Sequence, residues 1–400
     1  MSKQIQDAYI VAATRLPVGR RKGMLGHVRP DDMLAHAIGA VMAQAPGLDP
    51  ALVEDVIVGC AMPEAEQGMN VARIGLLLAG MPNSVPGVTV NRFCASGVQT
   101  VAMAADRIRL GEADVMIAGG TETMSLMNQM TGNKTALNPA IFEKEENYAI
   151  GFGMGITAEK VAAQWRVSRE DQDAFAVDSH RKACAAIDAG HFRAEITPYA
   201  VKRRVPDLAS GEVAVQEYLA AEDEGPRRDS SIEGLARLRP VFAARGSVTA
   251  GNSSQMSDGA AAVLLVSERI LKQFALQPLA RFAGFSVAGV APEIMGIGPV
   301  EAIPRVLRQA GISQHEVDWV ELNEAFAAQA LAVMRTLDLD PAKVNPLGGA
   351  IALGHPLGAT GAIRTATLLH GLRRTRQRYG MVSMCIGTGM GAAGLFESIQ

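Results

Sequence analysis

The stretch at residues 47 to 61, GLDPALVEDVIVGCA, returns at 311 to 325 as GISQHEVDWVELNEA. Without a gap Gly47 meets Gly311, Leu48 meets Ile312, Asp49 meets Ser313, Val53 meets Val317, Val56 meets Val320 and Ala61 meets Ala325. In each copy a glycine closes a helix, a small polar residue offers an N-cap for a short turn, and a β-branched run follows as a strand. The copies continue in parallel. Val90-Asn91 precedes a helix around Gly97 and a strand at Val115 to Gly120, while Val344-Asn345 precedes a helix around Gly361 and a strand at Met381 to Gly387. The pattern predicts two pseudo-symmetric α/β halves whose equivalent strand ends face one another.

Working outward, short β-branched runs alternate with amphipathic stretches, which is the signature of an α/β protein. Tyr9 to Ala13, Val56 to Val58 and Asp114 to Ala118 read as strands, and Gly97 to Leu110 reads as a helix. Residues 121–250 differ in texture, with more charge and irregular segments at Gln129 to Asn147 and Ala220 to Ser231. Helices are expected there at Thr157 to Trp165 and Arg169 to Ala189, with Ser168 as N-cap and Asp171 three residues on. The organisation expected is an N-terminal half over 1–120, an inserted loop domain over 121–250 and a C-terminal half over 251–400. Lys202-Arg203-Arg204 and Arg227-Arg228 can meet phosphates or can simply be solvated surface.

Four hundred residues suffice for a large core, and a net charge of −3 advertises neither nucleic acid nor an anionic membrane as partner. The longest apolar runs fall below the roughly 20 residues of a membrane span. The start, Met1 to Gln6, has no signal-peptide pattern and the end, Glu397 to Gln400, no peroxisomal or retention tripeptide, so a soluble cytoplasmic protein is expected. The four cysteines, Cys60, Cys94, Cys184 and Cys385, lie far apart, which argues for reduced thiols that serve as core or as chemistry.

Four segments carry the candidate chemistry. NRFCASG at 91–97 sets Cys94 at a helix entrance, where the macrodipole and free backbone N–H groups favour a thiolate. LGGAIALGHPLGATG at 347–361 has five glycines in fifteen residues, and His355 stands between Gly354 and Pro356 on a rigid turn, as base or as oxyanion donor. MCIGTGMG at 384–391 ends a strand at Cys385, a buried filler or a second working thiol, with the Gly387 N–H free to face an oxyanion. Asn323, in NEAF at 323–326, either caps the next helix or holds a water.

In this order and at this spacing, NRFCASG, NEAF, GHPLGATG and CIGTGMG resemble the motifs of the thiolases, and the resemblance extends over essentially the whole chain, including GMGITAE at 153–159 and GSVTAGNSSQMSDGAAA at 246–262. It implies a five-layer αβαβα fold. It also implies that Cys94 is the nucleophile, His355 its activator, Asn323 the holder of an oxyanion-hole water, and Cys385 the general acid and base. The N–H groups of Gly387 and Cys94 resemble a second oxyanion hole. Ser254 falls where the family contacts pantetheine, Arg227 where it meets the CoA nucleotide, and Met154 where it lines the acyl channel. The likeness is closest to degradative 3-ketoacyl-CoA thiolases (acetyl-CoA C-acyltransferases), with CoA as co-substrate and with no metal or redox cofactor. A homodimer or homotetramer is implied, and association with a β-oxidation complex stays open.

Rival readings are an acetoacetyl-CoA-forming acetyltransferase, a decarboxylating ketoacyl synthase, and a non-catalytic lipid-binding protein. The second cysteine and Asn323, in place of a second histidine, argue against the synthase, and the full catalytic set argues against the binding protein. Leu16, Ala95, Thr388 and Gly153 depart from common family patterns. Of these, Gly153, where acetoacetyl-CoA-forming members carry a histidine, bears on substrate.

Overall fold

The computed structural model describes residues 5–127 and 137–399; part of the irregular segment expected at 129–147 therefore lies outside the described residues. The first half supplies strands β1 (Ala8–Arg15), β2 (Gly19–Arg20), β3 (Asp55–Gly59), β4 (Gly87–Val90) and β5 (Val115–Thr123), with helices α1 (Pro30–Ala43), α2 (Val71–Leu78) and α3 (Ser96–Arg109). An intervening region holds α4 (Met154–Gln164), α5 (Arg169–Asp188), a hairpin of β6 (Tyr199–Pro206) and β7 (Val213–Ala220), and α6 (Ile232–Ala236). The chain then forms β8 (Ser257–Ser267), α7 (Glu268–Gln273), β9 (Ala280–Gly289) and α8 (Gly298–Ala310). It ends with β10 (Val317–Leu322), α9 (Ala327–Leu337), α10 (Ala350–Leu353), α11 (Leu357–Thr375), β11 (Tyr379–Ile386) and β12 (Met390–Ser398).

Strand order exposes the duplication. One half-sheet runs β4-β3-β5-β8-β1 and the other β10-β11-β12-β9. Beside β10, a parallel bridge from Val344 to Val320 takes the place that β4 holds beside β3. Parallel β3·β5 matches parallel β10·β11, and antiparallel β5·β8 and β8·β1 match β11·β12 and β12·β9. The half-sheets meet where β1 and β9 pair at two positions, Tyr9 with Arg281 and Ile10 with Ala280. One strand falls on the other side of the expected division: β8 belongs to the segment grouped with the C-terminal half, yet it lies between β1 and β5. The chain returns from the intervening region to complete the first sheet before it starts the second.

The layers follow from burial. Helices α1 and α2 cover the outer face of the first half-sheet with Leu34, Ile38, Val41 and Leu76, and α8 and α9 cover that of the second with Ile303, Val306, Val333 and Met334. Between the half-sheets lie α3 and α11, which pack on each other and are buried almost all round. Their Ala, Gly and Thr content is what a helix confined between two sheets requires. A Cβ at Gly97 would stand 2.5 Å from the Ala362 nitrogen, and one at Gly361 only 2.1 Å from that of Val98, so the two helix entrances meet backbone to backbone. This contact brings Cys94, just before α3, towards His355, just before α11.

The Ser168 cap forms as expected, its Oγ accepting from the Asp171 N–H at 3.0 Å. Lys202, Arg203 and Arg204 lie on β6, where Lys202 pairs with Glu217 at 2.9 Å, and Arg228 pairs with Asp188 at 2.6 Å. The intervening region is fastened to the core by a buried ionic cluster. Arg15 on β1 donates from Nε to Glu195 at 2.7 Å and from both terminal nitrogens to Asp223 at 2.7 and 2.9 Å, and Thr367 on α11 donates to Glu195 at 2.7 Å. Removing one partner of such a cluster strands the others as uncompensated charges. Arg15→Met is therefore expected to lose about 3–5 kcal/mol of stability. Urea unfolding checks this, and an unchanged midpoint would refute it.

Candidate active site

Cys94 sits on the short turn Phe93–Ala95 that runs straight into α3. Phe93 has φ 44°, and its N–H donates to the Asn91 side chain at 2.8 Å, which sets the turn. The strand end at Cys385 opens into Gly387, Thr388 and Gly389, the last two at φ 64° and 86°. Thr388 thus occupies a left-handed position that favours glycine. His355 follows Gly354, whose φ of 88° and the 2.5 Å approach that a Cβ would make to Ser257 Oγ leave room for nothing larger.

These elements converge on a cavity of about 410 Å³ that contains Cys94, His355 and Cys385 together with Met154 and Ser254. Much of the remaining wall is apolar, from Met62, Met124, Met256, Met295, Phe242 and Phe326. The His355 ring is fixed at both nitrogens, Nδ1 lying 2.7 Å from Thr360 Oγ1 and Nε2 lying 3.4 Å from Asn323 Nδ2. With Asn323 as the donor, Nε2 is the acceptor and Nδ1 carries the hydrogen, donated to Thr360. The Asn323 Oδ1 is buried without a protein partner.

Burial dominates the electrostatics. It pushes His355 down to about 3, with the charge of Arg364 acting the same way, so the imidazole is neutral. It pushes Cys94 up to about 11; the backbone N–H groups of Gly387 and Cys94 pull back, and the charge of Glu122 adds to the rise. Cys385 lies well above the ordinary thiol range, through burial first and then the neighbouring Cys94. The helix entrance was expected to favour a Cys94 thiolate; in the resting site burial outweighs it. The arrangement is a thiol, a neutral imidazole whose Nε2 is free of a proton, and a second protonated thiol; the burial that keeps His355 neutral also weakens it as a base, so proton transfer from Cys94 has to accompany attack on a substrate.

Arg227 lies outside this cavity. Its backbone N–H donates to His180 Nδ1 at 3.1 Å, and it lines an adjoining cavity of about 330 Å³ that shares Gln255 with the first. Gly153 caps α4, and a Cβ there would meet nothing within 4 Å. Leu16 is fully buried beside the α1 core and Ala95 is buried under the nucleophile turn. Sequence reasoning did not single out Thr360, which lay within the quoted GATG motif five residues past the histidine, or Glu122, an acidic residue in a wholly buried strand. Beyond Met154 it did not find the methionine wall, to which Met62, Met124, Met256 and Met295 come from four further segments. Among the described residues no group of three or more His, Cys, Asp or Glu is arranged to hold a metal ion.

A cysteine at a helix entrance, a neutral histidine and a second buried cysteine in one largely apolar cavity of a duplicated α/β fold define a cysteine-based acyl-transfer architecture. The chain belongs to the thiolase family: residues 8–269 match the thiolase N-terminal domain and 276–398 the thiolase C-terminal domain. It is 49% identical over 395 residues to a 3-ketoacyl-CoA thiolase of Bacillus subtilis, covering 98% of this chain and 100% of the relative. It is 46% identical over 393 residues to a peroxisomal 3-ketoacyl-CoA thiolase A of Rattus norvegicus, covering 98% and 88%. The crystal structure of a Bacillus anthracis acetyl-CoA acetyltransferase superposes with a TM-score of 0.89 at 39% identity, covering all of both chains.

Proposed function

We propose that the protein cleaves 3-ketoacyl-CoA with free CoA to acetyl-CoA and a chain-shortened acyl-CoA, the thiolytic step of fatty-acid β-oxidation. The observation that carries this reading is the shared cavity, in which two thiols and a neutral imidazole face a wall of methionine and phenylalanine. Cys94 gives its proton to His355 Nε2 and attacks C3 of the substrate. His355 and a water held by Asn323 stabilise the oxyanion, each such donor being worth about 3 to 4 kcal/mol. The C2–C3 bond breaks, its electron pair passing to C2 as the acetyl-CoA enolate, and Cys385 supplies the proton. The Cys385 thiolate then takes the proton of incoming CoA, whose sulfur attacks the acyl carbonyl under the N–H groups of Gly387 and Cys94. Cys94 leaves and recovers its proton from His355.

In this reading Met154 lines the acyl channel, Ser254 meets pantetheine and Arg227 meets the nucleotide of CoA. Homo-oligomeric assembly, which the family resemblance implies, belongs to the same proposal, as does a cytoplasmic location, with which the likeness to the Bacillus subtilis relative is consistent.

The alternative is an acetoacetyl-CoA-forming acetyltransferase; the Bacillus anthracis acetyl-CoA acetyltransferase shares the fold at 39% identity, against 49% to the Bacillus subtilis 3-ketoacyl-CoA thiolase. Gly153, an exposed residue just before the cavity-lining Met154, leaves no side chain at the position where the family resemblance puts a histidine in acetoacetyl-CoA-forming members, and this supports longer acyl chains. Each buried methylene contributes roughly 0.8 kcal/mol, so two or three extra carbons should raise kcat/KM about ten-fold or more. Rates over 3-ketoacyl-CoA substrates from C4 to C12 test this, and a sharp optimum at acetoacetyl-CoA would overturn the degradative reading.

A further inference from the structure

Two buried carboxylates lie behind the site and line neither of its cavities. Glu122, near the end of β5, is fully buried. Its Oε2 accepts from the N–H groups of Ala61 at 2.7 Å and Gly358 at 2.8 Å, and its Oε1 accepts from the Met62 N–H at 3.3 Å and from Gln67 Nε2. Gly358 is three residues past His355. On its other side the carboxylate leads to the nucleophile, because the Ala61 carbonyl accepts from Asn91 Nδ2 at 3.0 Å and Asn91 Oδ1 accepts from the Phe93 N–H at 2.8 Å. A continuous set of hydrogen bonds therefore joins the turn after His355 to the turn that carries Cys94.

Glu324, directly after Asn323, grips the opposite flank. Its Oε2 accepts from the Ile351 N–H at 3.1 Å and from Ser179 Oγ at 2.7 Å, and that hydroxyl accepts from the Gly349 N–H at 3.1 Å. Its Oε1 accepts from Asn345 Nδ2 at 2.9 Å. All these partners of both carboxylates donate, so each group serves as an ionised acceptor although burial pushes its pKa up.

We propose that Glu122 and Glu324 are positioning residues for acyl transfer, one from each half of the duplication, clamping the 349–358 segment, from the start of α10 to the start of α11, at both flanks and so holding His355 towards Cys94. Glycine-dense loops lose the most entropy on ordering and need fixed anchors. The Glu324 clamp also explains one of those glycines, since a Cβ at Gly349 would stand 2.1 Å from the Glu324 carboxyl carbon; at Gly358 the Ala61 nitrogen at 2.6 Å and the Cys60 Cα at 2.7 Å crowd a Cβ together with Glu122 Oε2 at 2.8 Å. The inference rests on the proposed pairing of His355 with Cys94.

Glu122→Gln and Glu324→Gln in the full-length chain test it, each turning an amide NH₂ towards backbone donors. The expected result is a kcat lower by about 10²-fold, the scale of a misplaced reacting group. KM should stay within about threefold, because apart from Leu357 the clamped segment gives the cavity only the base. Alkylation of Cys94 by iodoacetamide at pH 8 should slow, as it should in His355→Ala measured alongside, while circular dichroism shows a folded chain. Ser179→Ala, a milder change that keeps the proposal open to test if either glutamine variant does not fold, should lower kcat a few-fold to about tenfold, the worth of one hydrogen bond. Folded variants with wild-type kcat and alkylation, or with KM alone raised, would overturn the clamp if His355→Ala is slow. If His355→Ala alkylates at the wild-type rate, the pairing itself is wrong and the inference falls with it.

Discussion

Alanine at position 94 is expected to abolish turnover, lowering kcat on the order of 10⁵ to 10⁶, the scale seen when a covalent nucleophile is removed. The wild-type chain incubated with an acyl-CoA should carry the acyl group on the Cys94 peptide alone. The four cysteines differ in ways that make this selective. Cys60 is fully buried beside the Glu122 carboxylate, which compounds the effect of burial and holds its thiol far above the ordinary range. Cys184 lies on α5, outside the cavity. Cys385 is wholly buried, whereas Cys94 is partly exposed and stands on the turn that α3 presents to the cavity. A thiol near 11 is a weak nucleophile at rest, so the neutral His355 must take the proton as the substrate arrives. Peptide mapping by mass spectrometry decides the matter. Acyl label confined to Cys60 or Cys184, or full activity in Cys94→Ala, would sink the assignment.

Much of the architecture was legible because the duplication repeats local signals. Gly47 and Gly311 both adopt the left-handed conformation, at φ 91° and 69°, and Asp49 and Ser313 both cap the turn that follows. Val56 and Val320 then begin equivalent parallel ladders, with β4 and with Val344. The β6–β7 hairpin was not legible. β7 is exposed along nearly its whole length, so no alternation of buried and exposed residues marks it as a strand. The strand character of β8 showed in its apolar run, but its place between β1 and β5 depends on pairing across more than a hundred residues of chain, which periodicity does not encode. Within the site, motifs pointed to Cys94, His355 and Cys385, which the structure brings into one cavity. Glu122 and the methionines other than Met154 escaped because their roles come from packing: a carboxylate near the end of a buried strand has no partner until the backbone at 61–62 and 358 and the Gln67 side chain close round it. Thr360 escaped for the same reason, since a threonine in the first turn of a helix commonly bonds its own backbone.

The second large effect concerns Cys385. Changing it to serine or alanine should lower carbon–carbon cleavage by about 10² to 10⁴, the range for a general acid-base group. Cys94 should still be acylated by a simple acyl-CoA, since that step draws on His355 and needs no proton at the enolate carbon. The site gives a physical reason for the division of labour. Cys385 ends a buried strand, and burial together with the nearby Cys94 keeps it protonated, which is the state an enolate must meet. Once it has given that proton, its thiolate is strained by the same burial and takes a proton readily from incoming CoA, so one environment serves both half-reactions. Serine keeps the size but is a far weaker acid than a thiol, so Cys385→Ser should approach the alanine variant and not rescue it. Paired assays of ketoacyl-CoA cleavage and of acyl loading on Cys94 check the prediction. Loss of acyl loading with surviving turnover would mean that the two cysteines hold each other's roles.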